Sequence, residues 1–272
     1  MSDDPFSKLA EILPDAFSMT MLAGAVAALQ AENPLRAHHF ATSIRELIGY
    51  LLHKLGPDEQ VIAAPWYKKE EDRPTRRQRV TFAIQGGMSD ALVESLGIDI
   101  SDMQKQVSGA IAELNKHTHV REDTLLQDAA QIDEFARGAG IAVLSFLMTI
   151  KELHMAVAES AVHTLGSNIF EKFIESTVDD LDILSTHTQI EGIQVDNVEV
   201  ETIGLDTISY AVEGTVYVQL VWGSGSDFDR GDGATLSDNF PFTCGVVGSV
   251  ETLTTFSEVS NLNVDTSSWY ED

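Results

Sequence analysis

The sequence predicts an α+β protein: an N-terminal helical bundle over residues 1–188, then a small, sandwich-like antiparallel β domain over residues 189–272. Three observations predict it. Apolar residues in the first part recur three and four positions apart, the period of one helix face. Near residue 189 the period changes to partial alternation in segments rich in Val, Ile, Tyr and Thr, as strands require. The charge changes at the same place. From Glu191 onward there are fifteen acidic residues and one basic residue, Arg230, whereas all eight histidines lie earlier. With no helix between the strands, they are expected to pair antiparallel.

The elements follow in order. "FSMTMLAGAVAALQAEN" predicts a short apolar helix that Asn33-Pro34 stops. The next helix carries Phe40, Ile44, Leu47, Ile48, Leu51, Leu52 and Leu55 on one face; Pro34 opens it and Gly56-Pro57 closes it. "DEQVIAAPWYKKEEDRP" is a polar loop, and a helix begins near Thr75 that Gly86-Gly87 breaks or kinks. Another helix, about 101–116, starts at a cap-like "SDMQ". From Thr124 to about Leu165 the helical pattern is nearly continuous, with a weak point at Gly138 and Gly140, and a last helix runs over roughly 167–185. "GIQVDNVEVETI", "TISYAVEGTVYVQLVWG", "FPFTCGVVGSVETLTTF" and "LNVDTSSWYED" read as strands separated by Gly, Ser and Asp turns.

Composition bounds the function classes. The chain has 272 residues, 43% hydrophobic and 22% charged, which is globular and not that of a disordered chain. Its formal net charge of -26 opposes non-specific adhesion to nucleic acid or to anionic membrane. No run of eighteen apolar residues occurs and the acidic start does not read as a signal peptide. The lone Cys244 fits a reducing interior, so a cytoplasmic protein is expected.

Four polar constellations could carry chemistry. "LNKHTHV" places Asn115, His117 and His119 within five positions. Imidazoles there could serve as acid or base in RNA cleavage, or they could simply satisfy a helix end near the negative pole of its dipole. His38, Thr42, Arg45, Gly49 and His53 step by three or four along one helix flank, so Arg45 and His53 could reach one phosphate; a solvated flank is the plainer alternative. The only dense basic stretch, "YKKEEDRPTRRQR", holds Lys68, Arg76, Arg77 and Arg79 among acids, either a grip on a phosphate backbone or a salt-bridged surface. Asp227, Asp229, Asp232 and Asp238 hint at a calcium loop, but Gly231 and Asp232 fall on the wrong positions, so a glycine-rich hairpin with an exposed acidic tip is expected. No metal and no cofactor is predicted; His38 and His39, being adjacent on a helix, point about 100° apart.

"SIRELIGYLLHKLGPDEQV", "APWYK", "TRRQRVTFAIQGG", "THVRED", "VQLVWGSGSDFDRGDG", "FPFTC" and "VDTSSW" together resemble the predicted pPIWI-associating nucleases of prokaryotic conflict systems. The Asn-x-x-x-His core, Asn115 to His119, also resembles the HEPN class of helical RNases, although Glu113 stands where that class has an Arg. The resemblance implies a component of anti-phage or mobile-element defence, as a candidate metal-independent RNase. It gives weight to Asn115, His119 and Arg45 as catalytic candidates and to Lys68, Arg76, Arg77 and Arg79 as contacts to nucleic acid. The alternative is a non-catalytic interaction or oligomerisation module that docks a nuclease or Argonaute-like partner through its acidic surface. A homo-oligomer or a defence-system partner protein is expected in either case, with no membrane partner.

Overall fold

Side chains mark most of the helix starts in the computed structural model, which describes residues 4–175 and 178–270. Asp4 caps α1 (Pro5–Ile12) by accepting from the Phe6 and Ser7 amides, and Asp15 caps α2 (Ala16–Gln30) at the Ser18 amide, 2.7 Å away. These bonds satisfy donors that an isolated helix leaves open. α3 (Arg36–Leu55) follows, then the short α4 (Asp58–Ala63), which lies in the stretch read from sequence as loop. A capping box formed by Thr75 and Gln78 opens α5 (Arg76–Gln85). That helix ends at Gly86, whose φ of 56° suits glycine. α6 (Asp90–Ser95) and α7 (Ile100–His117) start from Ser89 and Asp99 caps.

The predicted stripe on α3 is the spine of the helical unit. Phe40, Ile44, Leu47, Ile48, Leu51 and Leu52 are all buried, each worth roughly 1.5–3 kcal/mol relative to exposure. Phe40 meets Phe6 and Phe135 edge-to-face at 5.8 and 5.9 Å.

α8 (Ala129–Glu175) is one uninterrupted helix of 47 residues, where the sequence predicts two pieces with a weak point. Gly140 is not a hinge. A Cβ there would stand 2.8 Å from the Phe6 ring, so the glycine lets α1 approach α8. By length and composition α8 could cross a membrane. Ile132, Val143, Phe146, Val157, Leu165 and Ile169 along it are buried, while Ile141, Met148, Met155, Val162 and Ile174 are exposed.

The chain divides into two compact units inside α8, between Leu153 and His154. The change of period near residue 189 therefore lies within the second unit, because the later part of α8 packs on the sheet. There the His154 Nδ1–H donates to the Val200 carbonyl at 3.0 Å, and the Phe173 and Phe242 rings meet at 5.2 Å. Residues 176–177, inside the last predicted helix, lie outside the described residues; α9 (Asp179–Asp182) is a single turn.

Four strands follow: β1 (His187–Ile203), β2 (Thr207–Trp222), β3 (Ala234–Ser249) and β4 (Phe256–Val264). They form one antiparallel sheet in the order β1-β2-β3-β4, not a sandwich. Alternation on β2 buries Ile208, Tyr210, Val212, Val216, Val218 and Leu220, which gives the sheet one core face. Gly214 is obligatory in that row, since a Cβ would come within 2.3 Å of the Gln194 carbonyl oxygen on β1. A short α10 (Gly225–Arg230) interrupts the β2–β3 connection, and a 3-10 turn (Ser267–Tyr270) replaces the end of the last predicted strand.

Candidate nucleic-acid interface

α5 and α7 carry the basic and amide residues that the sequence singles out. Arg77, on the first turn of α5, donates through Nε and Nη2 to Gln104 Oε1 on α7, both at 3.3 Å. Gln104 Nε2 donates to Thr81 Oγ1 at 2.6 Å, and that hydroxyl donates to the Arg77 carbonyl at 3.0 Å. The ring of bonds fixes the guanidinium, and a guanidinium has five N–H donors, so it retains donors for a ligand. Arg76 and Arg77 then line a cleft of about 440 Å³ with Asn115 from the last turns of α7; Glu71 and Ser108 also line it. On the other side Arg77 shares a second cleft, of about 760 Å³, with Lys68 and Trp66. Arg76, Arg77, Lys68 and Asn115 are all exposed.

The remaining candidates stand elsewhere. Arg79 is 4% exposed and faces inward: it donates to the Gly56 carbonyl at 2.8 Å and pairs with Asp58 at 2.5 Å. It is buried in the core together with its neighbours on α5, Val80 and Phe82. Arg45 pairs with Glu46 at 2.7 Å and is not among the residues lining the Arg76–Arg77 cleft. The flank it belongs to is bonded within α3: Thr42 Oγ1 donates to the His38 carbonyl at 3.0 Å and the His53 Nδ1–H to the Gly49 carbonyl at 2.8 Å.

The two histidines of "LNKHTHV" separate. His117 is 8% exposed, its ring edge-on to Phe135 at 4.7 Å. Its Nδ1–H donates to the Thr124 carbonyl at 2.9 Å, and its own carbonyl accepts from His38 Nδ1 at 2.6 Å. Those bonds close the end of α7 and hold the loop that follows. His119 is exposed on that loop, where its carbonyl accepts from Thr124 Oγ1 at 2.8 Å. Thr124 and His38 are thus structural partners that sequence reading missed; His38 lies 79 positions from His117, and no local spacing signals the pair.

The acidic connection folds as α10 and not as a simple turn. Asp227 accepts from the Ser224 amide and hydroxyl, both at 2.6 Å, and from Arg230 at 2.5 Å. The Ser224 hydrogen bonds hold its carboxyl below the usual carboxylate range. Among the described residues no three His, Cys, Asp or Glu side chains gather as a metal site.

Helices that bring Arg76, Arg77 and Asn115 to one cleft, and a four-stranded antiparallel sheet after them in the chain, make up the described fold. Models of the predicted pPIWI-associating nucleases match residues 9–142 and residues 150–270 in succession, so the chain belongs to that family. No curated protein and no solved structure matches it.

Proposed function

We propose that the protein is a nuclease effector of a prokaryotic defence system against phage or mobile elements, and that it acts on RNA without a metal. One observation carries the reading: Arg76, Arg77 and Asn115 line a single cleft, with Arg77 held in place by Gln104. Two guanidinium groups there would steady a phosphodiester, the role the HEPN-like reading gives to an arginine that this chain lacks at residue 113. His119, four residues beyond Asn115, is the acid/base candidate. Its imidazole takes the proton of a ribose 2′-hydroxyl, whose oxygen attacks the adjacent phosphorus. The 5′-oxygen leaves and takes a proton from water, and a 2′,3′-cyclic phosphate remains. The protein is read as cytoplasmic, working as a homo-oligomer or with a defence-system partner.

A second reading rests on a different surface. Glu191, Asp196, Glu199 and Glu201 are exposed along β1 at the edge of the sheet, a row suited to docking a basic nuclease or Argonaute-like partner. Incubation of single-stranded RNA with the protein in excess EDTA separates the two. Cleavage to cyclic-phosphate ends, lost in His119→Ala and in the Arg76→Ala/Arg77→Ala double variant, is expected. A wild-type protein that binds RNA but never cleaves it makes the helical unit a binding module and favours docking.

A further inference from the structure

We infer that the larger cleft beside Arg77 is a base-reading pocket for guanine, with Gln85 as its reading group. This rests on the nucleic-acid reading above and adds which base the site takes. The cleft, of about 760 Å³, runs along α5 past Trp66 to α6. Gln85 lies in its floor at 0% exposure. Its Nε2 donates to the Met88 carbonyl at 2.7 Å and to Asp90 Oδ1 at 3.0 Å. Both partners are acceptors, so the amide cannot turn over. Its Oε1 is then buried with no donor. A buried acceptor without a donor is destabilising, and such a group calls for a bound donor.

The chemistry of that donor follows from the surroundings. The other two amides on the wall are occupied: Gln78 Nε2 donates to the Lys68 carbonyl at 2.6 Å and Gln104 Nε2 to Thr81. The other polar groups lining the α6 end of the cleft beside the buried Gln85 Oε1 are acceptors, the carboxylates of Asp90 and Glu94. Guanine presents N1–H and the exocyclic amine side by side on its pairing edge. The other bases set an acceptor beside each donor there, and an acceptor would meet a carboxylate unfavourably. The Trp66 indole N–H donates to the Gly86 carbonyl at 2.8 Å, which fixes the ring next to Gln85 as a stacking wall. Arg77 lies eight positions before Gln85 on the same helix, about 12 Å along its axis. A nucleotide bound with its base at Gln85 and its phosphate toward Arg77 and Lys68 uses both ends.

The test is equilibrium binding of GMP, AMP, CMP and UMP, and of single-stranded RNA, to the full chain. GMP is expected to bind at least about tenfold tighter than the other three. Trp66→Leu is expected to weaken GMP by roughly five- to a hundredfold. Glu94→Ala, at an exposed position of α6 where the fold does not depend on it, is expected to erase the preference with an unchanged melting temperature. Equal affinity for all four nucleotides overturns the inference, since the Gln85 oxygen is then served by water. RNA binding with no mononucleotide binding at all overturns it as well and leaves the nucleic-acid reading standing. Binding of neither sinks both.

Discussion

Arg77 and Arg79 sit two positions apart on α5, yet one is anchored at a cleft mouth by Gln104 and the other is buried against Asp58 and the Gly56 carbonyl. Arg79→Met removes charge-assisted hydrogen bonds worth about 1.5–3 kcal/mol and is expected to lower the melting temperature while RNA affinity of the folded protein holds. The opposite split is expected at "LNKHTHV". His117→Ala empties a packed site and frees the loop at Thr124, costing about 2–4 kcal/mol in a denaturant titration. His119→Ala leaves stability unchanged and lowers cleavage by on the order of a hundred- to ten-thousandfold. Asp58 and Asp15 are two of the carboxylates whose pairing weakens in acid. The Arg79 hydrogen bond holds Asp58 below the usual carboxylate range, and Lys54, with Ser18 and Tyr50, holds Asp15 well below it. Because their folded pKa values are depressed, their stabilisation is present above the unfolded value near pH 4 and is lost as pH falls through the folded one. Melting temperatures of wild type and Asp15→Asn should therefore draw together progressively as pH falls below about 4. The sequence showed which residue types could do chemistry here, but not which way they face. Arg79 and His117 carry the same letters as exposed partners nearby, and burial comes from contacts such as His38–His117 that span 79 positions.

Elements were more legible than sites. The 3-and-4 period of α3 and the alternation of β2 each reflect one buried face, which is why both ends of those elements were placed closely. Two differences between the sequence expectation and the fold have a common cause, since propensity alone marks Gly and Asp as breakers. In α8 the tertiary contacts override Gly138 and Gly140, and in α10 the Ser224–Asp227 box turns a predicted hairpin tip into a helical turn. The two glycines of α8 are not equivalent. A Cβ at Gly138 meets nothing within 4 Å, so Gly138→Ala should gain about 1 kcal/mol of helix propensity and raise the melting temperature. At Gly140 the same change pushes on the Phe6 ring, and the gain should be cancelled or reversed.

At the scale of the molecule, the net charge of -26 repels a polyanion, so any binding must be local and few-contact. Lys68, Arg76 and Arg77 are the exposed cations beside the two clefts. Three such contacts on a single strand imply a slope of about -2 in log affinity against log salt, far shallower than a basic RNA-binding protein shows. The most direct measurement is a salt series of single-stranded RNA binding, run on wild type and on Arg76→Ala/Arg77→Ala with melting temperatures recorded alongside. The expected result is a slope near -2 for wild type, a loss of about tenfold or more in affinity for the double variant, and a slope reduced in magnitude by about 1.4 with the melting temperature unmoved. RNA affinity that is the same in both proteins would contradict the placing of nucleic acid on the α5–α7 face.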